Sequence, residues 1–437
     1  MDLLQAFDNF PDVARPIIIK SDVVRLGVKF GETACKIFKE RNDILYKGYH
    51  LFSYDRDTPV MYGERIPYDF YFEDGTPEGT LIQVRTYSQS PYTIDHDGMD
   101  FVLCYDEKAL GSVHFEPPPK FYQRTINGKP MAAYLIGHGD FLFVTANKYC
   151  EHFSTDKQCL FCDLTPFARR QKRGEDAMIL RKNAEQIAEV LEVALHEHRF
   201  RHIFISGGTF LGKYQGLSEI EWYSQLLNTI IKRIKHWYTA TFQIAALTDE
   251  GWKRIRDTGI PSIQPNIEVW DKRLFEIICP GKAAKVGYDD WIKRTIRAVD
   301  FWGPGNVNPN FVSGVEMAKP FGFTDVNEAL DSTLSGYDFL MGNGVLPRQG
   351  DFWCIEADSK LAGAEPPPLE YYIKLGKGYL ELREKHGFMS CAPFFCRYCG
   401  PPHGTEYDFE YWHGNGPSSR KAELDDVKGD NSSGMEH

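Results

Sequence analysis

Nowhere in these 437 residues do roughly 18 apolar side chains follow one another, the length a helix needs to cross a bilayer, so no membrane span is expected. Nor is there an excess of positive charge. Lys and Arg number 50 against 61 Asp and Glu, giving a net charge of −11. That balance argues against a general nucleic-acid-binding surface and leaves only a local basic stretch at Arg169, Arg170 and Arg173. The opening MDLLQAFDNFPDVARP has an early Asp and no apolar core of signal-peptide length, so a cytoplasmic location is expected. No internal repeat is visible. In a reducing compartment the 10 cysteines make a poor disulfide framework and read instead as metal ligands with a few buried thiols.

What is present is ordinary in bulk and unusual in detail. A hydrophobic fraction of 42% and a charged fraction of 25% suit a globular protein. The 23 Tyr and 30 Phe imply a bulky core with rings left over to line a cavity. Residues 1–135 read as a β-rich section, with strands expected in TLIQVRTY (80–87) and FVLCYDE (101–107) and a stiff triple proline at 117–119. From about residue 136 to 350 strands alternate with helices. Strands are expected at 141–146, 202–206, 240–247, 262–270, 309–317 and 337–345, and the spacing of Ile187, Val190, Leu191, Ala194 and Leu195 is helical. Such alternation favours a parallel sheet with right-handed crossovers, either an open barrel or a doubly wound sheet. Residues 351–416 form a cysteine-containing C-terminal extension, and 417–437 read as a disordered polar tail.

Six cysteines fall into two triplets. In NKYCEHFSTDKQCLFCDL, Cys150, Cys159 and Cys162 follow the first expected barrel strand. Thiolates are soft ligands for iron–sulfur clusters and for zinc. Three of them can hold three irons and leave a fourth open; the alternative is a zinc knuckle completed by His152 or another residue. Position favours the first, because the loops after the strands build the active site of an α/β barrel. The next strand ends in Ser206-Gly207-Gly208-Thr209, where paired glycines let backbone approach a small ligand.

This arrangement resembles the radical S-adenosylmethionine superfamily over roughly residues 139–350. That family carries a three-cysteine loop after its first strand, with an aromatic residue before the last cysteine; Phe161 occupies that place here. The first gap is eight residues where three are usual, a departure from the family spacing. The resemblance implies an α/β fold, a partial (β/α)6 TIM-like barrel with a [4Fe–4S] cluster on Cys150, Cys159 and Cys162. Ser206, Gly207, Gly208 and Thr209 then match a Gly-Gly-Glu-like motif that meets the methionyl amine, with Thr209 in place of Glu. The stretch PNIEVWDKRLFEIICPGK is similar to the biotin synthase, lipoyl synthase and hydrogenase-maturase branch. The branch implies cofactor contacts for Asn266 and Glu268, a basic partner at Lys282 or Lys285, and Val315 and Glu316 near the adenosine. It also implies one-electron cleavage of S-adenosylmethionine to a 5′-deoxyadenosyl radical, with an electron donor such as flavodoxin or ferredoxin.

The second triplet, Cys391, Cys396 and Cys399, has His403 four residues on. It reads as an auxiliary iron–sulfur cluster or as a structural zinc completed by His403 or Cys354, and its spacing does not choose between them. Cys35, Cys104 and Cys279 sit among apolar neighbours and read as core thiols. The leading reading is an enzyme acting on a small molecule in cofactor or natural-product biosynthesis. An RNA- or peptide-modifying enzyme and a zinc-stapled binding protein are the alternatives.

Overall fold

In the computed structural model, residues 1–40, 46–47, 52–53, 65–73, 75, 79–139, 141–166, 181–200, 202–237, 239–348 and 357–389 are described. The chain opens with three helices the sequence reading did not anticipate, α1 (Leu3–Asn9), α2 (Arg15–Leu26) and α3 (Glu32–Glu40). The apolar run of α2 is short and rich in β-branched residues, which reads locally as strand. Tertiary burial of Ile17, Ile18, Ile19, Val23 and Val24 holds α2 as a helix. Pro16 in its first turn and Gly27 at its C-terminal end, at φ +73°, fix its limits.

These helices accompany a six-stranded sheet. Its strands are β1 (Lys29–Phe30), β2 (Asp69–Phe72), β3 (Thr80–Gln83), β4 (Tyr92–His96), β5 (Phe101–Tyr105) and β6 (Lys108–His114), in the order β1-β4-β5-β6-β2-β3. Every pairing is antiparallel except β1 with β4. A second short piece, Arg85–Thr86, follows β3 and pairs with Phe52–Ser53.

The second sheet is the barrel wall. Strand β7 (Ile136–His138) pairs antiparallel with β8 (Phe141–Asn147); β9 (His202–Gly207), β10 (Thr239–Gln243) and β11 (Ser262–Gln264) follow in parallel. Beyond β11 the wall continues through single parallel bridges, Ile263 to Val307, Glu268 to Phe311 and Asn310 to Arg348. The parallel staves therefore run 141–147, 202–207, 239–243, 262–268, 307–311 and 346–348. The chain is an α/β protein with a curled half-barrel, in keeping with a partial (β/α)6 barrel.

Helices between the staves follow their caps. Asn183 caps α4 (Ala184–Leu195), and Ser218 with Glu221 forms a capping box on α5 (Glu219–Ile234). The chain continues through α6 (Asp249–Arg256), α7 (Lys272–Ile278), α8 (Pro280–Lys285) and α9 (Tyr288–Arg297).

Two expected strands differ. YDFLMGNGV (337–345) is mostly the end of helix α10 (Val326–Gly342). Asp325 caps α10 by accepting from the Asn327 and Glu328 amides, and its buried positions, Ala329, Leu330, Thr333, Gly336, Tyr337, Leu340 and Met341, recur every three or four residues. The local apolar cluster YDFLM hides that period, and the sixth stave begins only after Gly344. PNFVSGVEM (309–317) forms bridges rather than a ladder and ends in a 3-10 turn at Val315–Met317. Helix α11 (Leu369–Lys385), which opens after Pro366-Pro367-Pro368, packs on α10. Among the described residues no helix is long and apolar enough to cross a membrane.

The helical assignment of 326–342 can be tested at Gly336, where an added β-carbon would lie 2.3 Å from the Trp270 ring. Helix propensity alone would favour Gly336→Ala by about 1 kcal/mol, whereas overpacking costs about 1–3 kcal/mol. A net loss of stability in denaturant titration is expected; a gain would contradict this packing.

Candidate active site

The cysteine loop leaves the C-terminal end of β8, and its first task is to be held there. Asn147 does this with its side chain: Nδ2 donates to the carbonyls of Tyr149 (2.8 Å) and Gly208 (3.0 Å), while Oδ1 accepts from the Tyr149 amide. The Cys150 amide donates to Thr165 Oγ1 at 3.0 Å, and the Glu151 amide to the Thr209 carbonyl at 2.9 Å. Glu151 then accepts from the Leu211 and Gly212 amides. Farther along, the Leu160 amide donates to the Ile278 carbonyl, tying the loop to the end of α7.

Glycines make these approaches geometrically possible. A β-carbon on Gly208 would sit 2.6 Å from the Cys150 α-carbon, and one on Gly207 2.2 Å from the Tyr223 hydroxyl. Gly281 plays the same part in α8, where a β-carbon would meet His152 Nδ1 at 2.3 Å. The paired glycines thus seat the cysteine loop itself, a role their sequence position did not distinguish from contact with a ligand.

One cavity of about 370 Å³ is lined by Cys150, Cys159, Phe161, Cys162, Ser206, Gly207, Gly208, Thr209, Asn266, Glu268 and Lys282, residues drawn from three separate stretches of sequence. The sequence reading named all of these. Val315 and Glu316 do not line it. The 3-10 turn directs Glu316 away, where it accepts from the Gly314 amide and Thr333 Oγ1 (each 2.9 Å) and from the Tyr371 hydroxyl. Glu316 therefore joins the turn to α10 and α11, while Asn310 and Val312 of the same stretch reach the cavity. Burial raises the Glu316 carboxyl above its ordinary value, against those three hydrogen bonds.

Of the two lysine candidates, Lys282 faces the cavity. Its ammonium donates to Glu268 Oε1 at 2.5 Å and to the Asn266 carbonyl at 2.9 Å, and lies 4.9 Å from the centre of the Trp291 ring. Burial opposes its charge, but the Glu268 carboxylate and the neighbouring thiols outweigh that and hold it above the usual lysine range. Lys285 pairs instead with Glu219 and the Phe210 carbonyl. Glu268 sits at φ +71°, a left-handed backbone that costs a non-glycine residue about 1–3 kcal/mol and clusters at functional sites. The kink lets the Ile267 and Glu268 amides share the Asn310 carbonyl, while Asn266 Oδ1 accepts from the Asn310 amide.

The thiols are free, and their environments differ. Burial pushes Cys150 up and Cys162 well above the ordinary thiol value. Cys159 is held below it by a hydrogen bond from the Cys279 thiol, assisted by Lys282 against the effect of burial. Cys279, read from sequence as a core thiol, is fully buried as expected yet touches a candidate ligand. Its apolar neighbours, Ile277 and Ile278, carry no signal of that contact. His152 lines the same cavity; burial, then the nearby lysines, depress it to about 4, so it is neutral at pH 7. Among the described residues no three His, Cys, Asp or Glu side chains converge to hold a single ion. Two further lining residues were missed, Gln83 at the end of β3 and Arg85 in the short piece that follows it. Their signal was present in TLIQVRTY, where two polar residues two apart interrupt an apolar run. Cys354, Cys391, Cys396, Cys399 and His403 lie outside the described residues.

No family model matches the sequence. A curated relative, bacteriochlorophyllide c C-7(1)-hydroxylase of Chlorobaculum limnaeum, is 22% identical over 327 residues, spanning 72% of this chain and 77% of the relative. The chain is similar to this enzyme over most of the length of both. Among solved structures, HydG, a maturase of the [FeFe]-hydrogenase, aligns with 58% of this chain and 50% of its own at 15% identity and a TM-score of 0.37. Coproporphyrinogen III oxidase (HemN) from Escherichia coli, a radical SAM enzyme, aligns with 56% and 52% at 11% identity and a TM-score of 0.32. The chain spans about half the length of each of these two proteins.

Gly208→Ala is expected to push Cys150 off the barrel edge. The variant should retain at most about half of the wild-type iron after anaerobic reconstitution, measured per folded chain, since one of three ligands is displaced. Full iron content would contradict the seating of the loop.

Proposed function

We propose that Cys150, Cys159 and Cys162 hold a [4Fe–4S] cluster at which S-adenosylmethionine is reductively cleaved, and that the chain then takes hydrogen from a small-molecule substrate in cofactor or natural-product biosynthesis. The observation carrying this reading is that the three thiols share one cavity with Gly207-Gly208 and with Asn266, Glu268 and Lys282. The residues suit the group on chemical grounds. Three soft ligands lie together, and Asn310 Oδ1, which also faces the cavity, is a buried acceptor without a partner. A buried unpaired acceptor costs about 1–3 kcal/mol, which a bound cofactor's donors would offset.

When bound, the cluster and S-adenosylmethionine would supply an electron to the sulfonium and thereby a 5′-deoxyadenosyl radical able to attack an unactivated C–H bond. The chain's own part is positioning and exclusion of water. Lys282 fixes the Glu268 carboxylate, and Asn266 fixes the end of the next stave. Phe161, Tyr223, Trp291 and Val312 supply apolar wall. The curated relative is named for hydroxylating a bacteriochlorophyllide, itself a reaction at a C–H position. That supports a small molecule over RNA or peptide, as does the net charge of −11. An electron donor of the flavodoxin or ferredoxin type would reduce the cluster, and we assign Cys391, Cys396 and Cys399 an auxiliary cluster ahead of zinc because their ligands are equally soft.

Anaerobic protein reconstituted with iron and sulfide, then given dithionite and S-adenosylmethionine, is expected to form 5′-deoxyadenosine, and Cys159→Ala is expected to form none above background. Equal product from wild type and variant would overturn the ligand assignment. Iron should be about eight per chain with both clusters, or about four with one zinc if the second triplet is structural.

A further inference from the structure

We infer that the Cys279 thiol, placed behind the cysteine loop, donates an S–H···S hydrogen bond to Cys159 and so raises the reduction potential of the cluster; the inference rests on the cluster reading of the same cavity. Cys279 is completely buried and is not among the residues that line the cavity, whereas Cys150, Cys159 and Cys162 are. A cluster inside the cavity would therefore meet three thiols of the loop, with Cys279 backing Cys159. The backbone fixes that place. Cys279 closes α7 and opens α8: its amide donates to the Phe275 carbonyl at 2.8 Å, and its carbonyl accepts from the Ala283 amide at 3.0 Å. One residue earlier, the Ile278 carbonyl accepts from the Leu160 amide at 2.9 Å, which pins the chain neighbours of both cysteines together. Pro280 follows directly and restricts the turn further.

Each of the three candidate ligands has a donor at its sulfur, and the donors differ in kind. Cys150 Sγ accepts from the His152 and Thr209 amides, and Cys162 Sγ from the Leu164 amide. Cys159 Sγ accepts chiefly from a side chain, the Cys279 thiol. Burial in the apolar core keeps that thiol protonated, as a donor must be. A hydrogen bond to a ligand sulfur draws electron density from it and favours the more negative, reduced cluster. The amide donors belong to the backbone, but the Cys279 thiol is removed by one substitution. A purely structural role would have Cys279 only fill the space between α7 and the loop. Cys279→Ala and Cys279→Ser separate the two roles, because both shrink the side chain and only serine keeps a donor.

The test is an anaerobic redox titration of the reconstituted full chain without S-adenosylmethionine, with dithionite as reductant and electron paramagnetic resonance as readout. The signal followed is the one that Cys159→Ala lacks. Cys279→Ala is expected to keep the wild-type iron content and to lower the midpoint potential by about 59 mV, a tenfold change in a one-electron equilibrium. Cys279→Ser is expected to lie closer to wild type than to Cys279→Ala in potential, while the melting temperatures of both variants fall alike. Equal potentials in wild type and Cys279→Ala, or equal shifts in the two variants, would overturn the inference alone. Loss of iron from Cys279→Ala to the level of Cys159→Ala would also overturn it, because Cys279 would then be a ligand. A wild-type chain that forms no cluster with that signal would sink the cluster reading, and this inference with it.

Discussion

The close approach of the Cys150 backbone to Gly208 is the contact on which the candidate site depends. No residue with a β-carbon fits at position 208, so the end of the second stave must be glycine if the cysteine loop is to lie against it. Once seated, the loop joins three parts of the barrel. The Asn147 side chain reaches across to the Gly208 carbonyl, the Glu151 amide meets Thr209, and the Leu160 amide meets Ile278 beyond the fourth stave. Each is an ordinary hydrogen bond worth about 1 kcal/mol net. Together they leave a long loop, with eight residues between its first two cysteines, a single path.

A second constraint lies across the cavity, where the wall is irregular. Regular pairing stops at Gln264, and the next two staves connect through single bridges around a left-handed Glu268. The buried Lys282–Glu268 pair is weak grounds for stability, because removing two charges from water offsets most of their attraction. Its effect is positional. It joins α8 to the fourth stave, and α8 in turn presses Gly281 against His152 in the cysteine loop. The strain at Glu268 and the packing of the cysteine loop are therefore parts of one connected structure. The end of β3 and the short piece after it bring Gln83 and Arg85 to the same cavity.

Much of this was legible in the sequence, for reasons that can be named. The staves at 141–147 and 202–207 and the helices α4 and α5 are strongly periodic and cleanly capped, so local pattern and tertiary structure agree. The cavity residues from Cys150 to Lys282 were legible because their chemistry demands particular residue types in a particular order. Three things were hidden. Helix α10 absorbed an expected strand because YDFLM is apolar at both periods. Glu316 was expected near a cofactor and instead ties a turn to two helices, since a single 3-10 turn decides which way a carboxylate faces. The contact of Cys279 with Cys159 is a product of tertiary folding alone, and the polar interruptions at Gln83 and Arg85 did not say which cavity they would reach, more than 60 positions from Cys150.

The central claim is that three thiols from one loop hold a cluster whose fourth iron is open to S-adenosylmethionine. Electron–nuclear double resonance on the reduced, reconstituted protein with S-adenosylmethionine carrying ¹⁵N in its methionyl amine tests it most directly. The account predicts a ¹⁵N coupling to the cluster spin that is present in wild type and absent when any of Cys150, Cys159 or Cys162 is replaced by Ala. A wild-type cluster spin with no coupling to that nitrogen would contradict it.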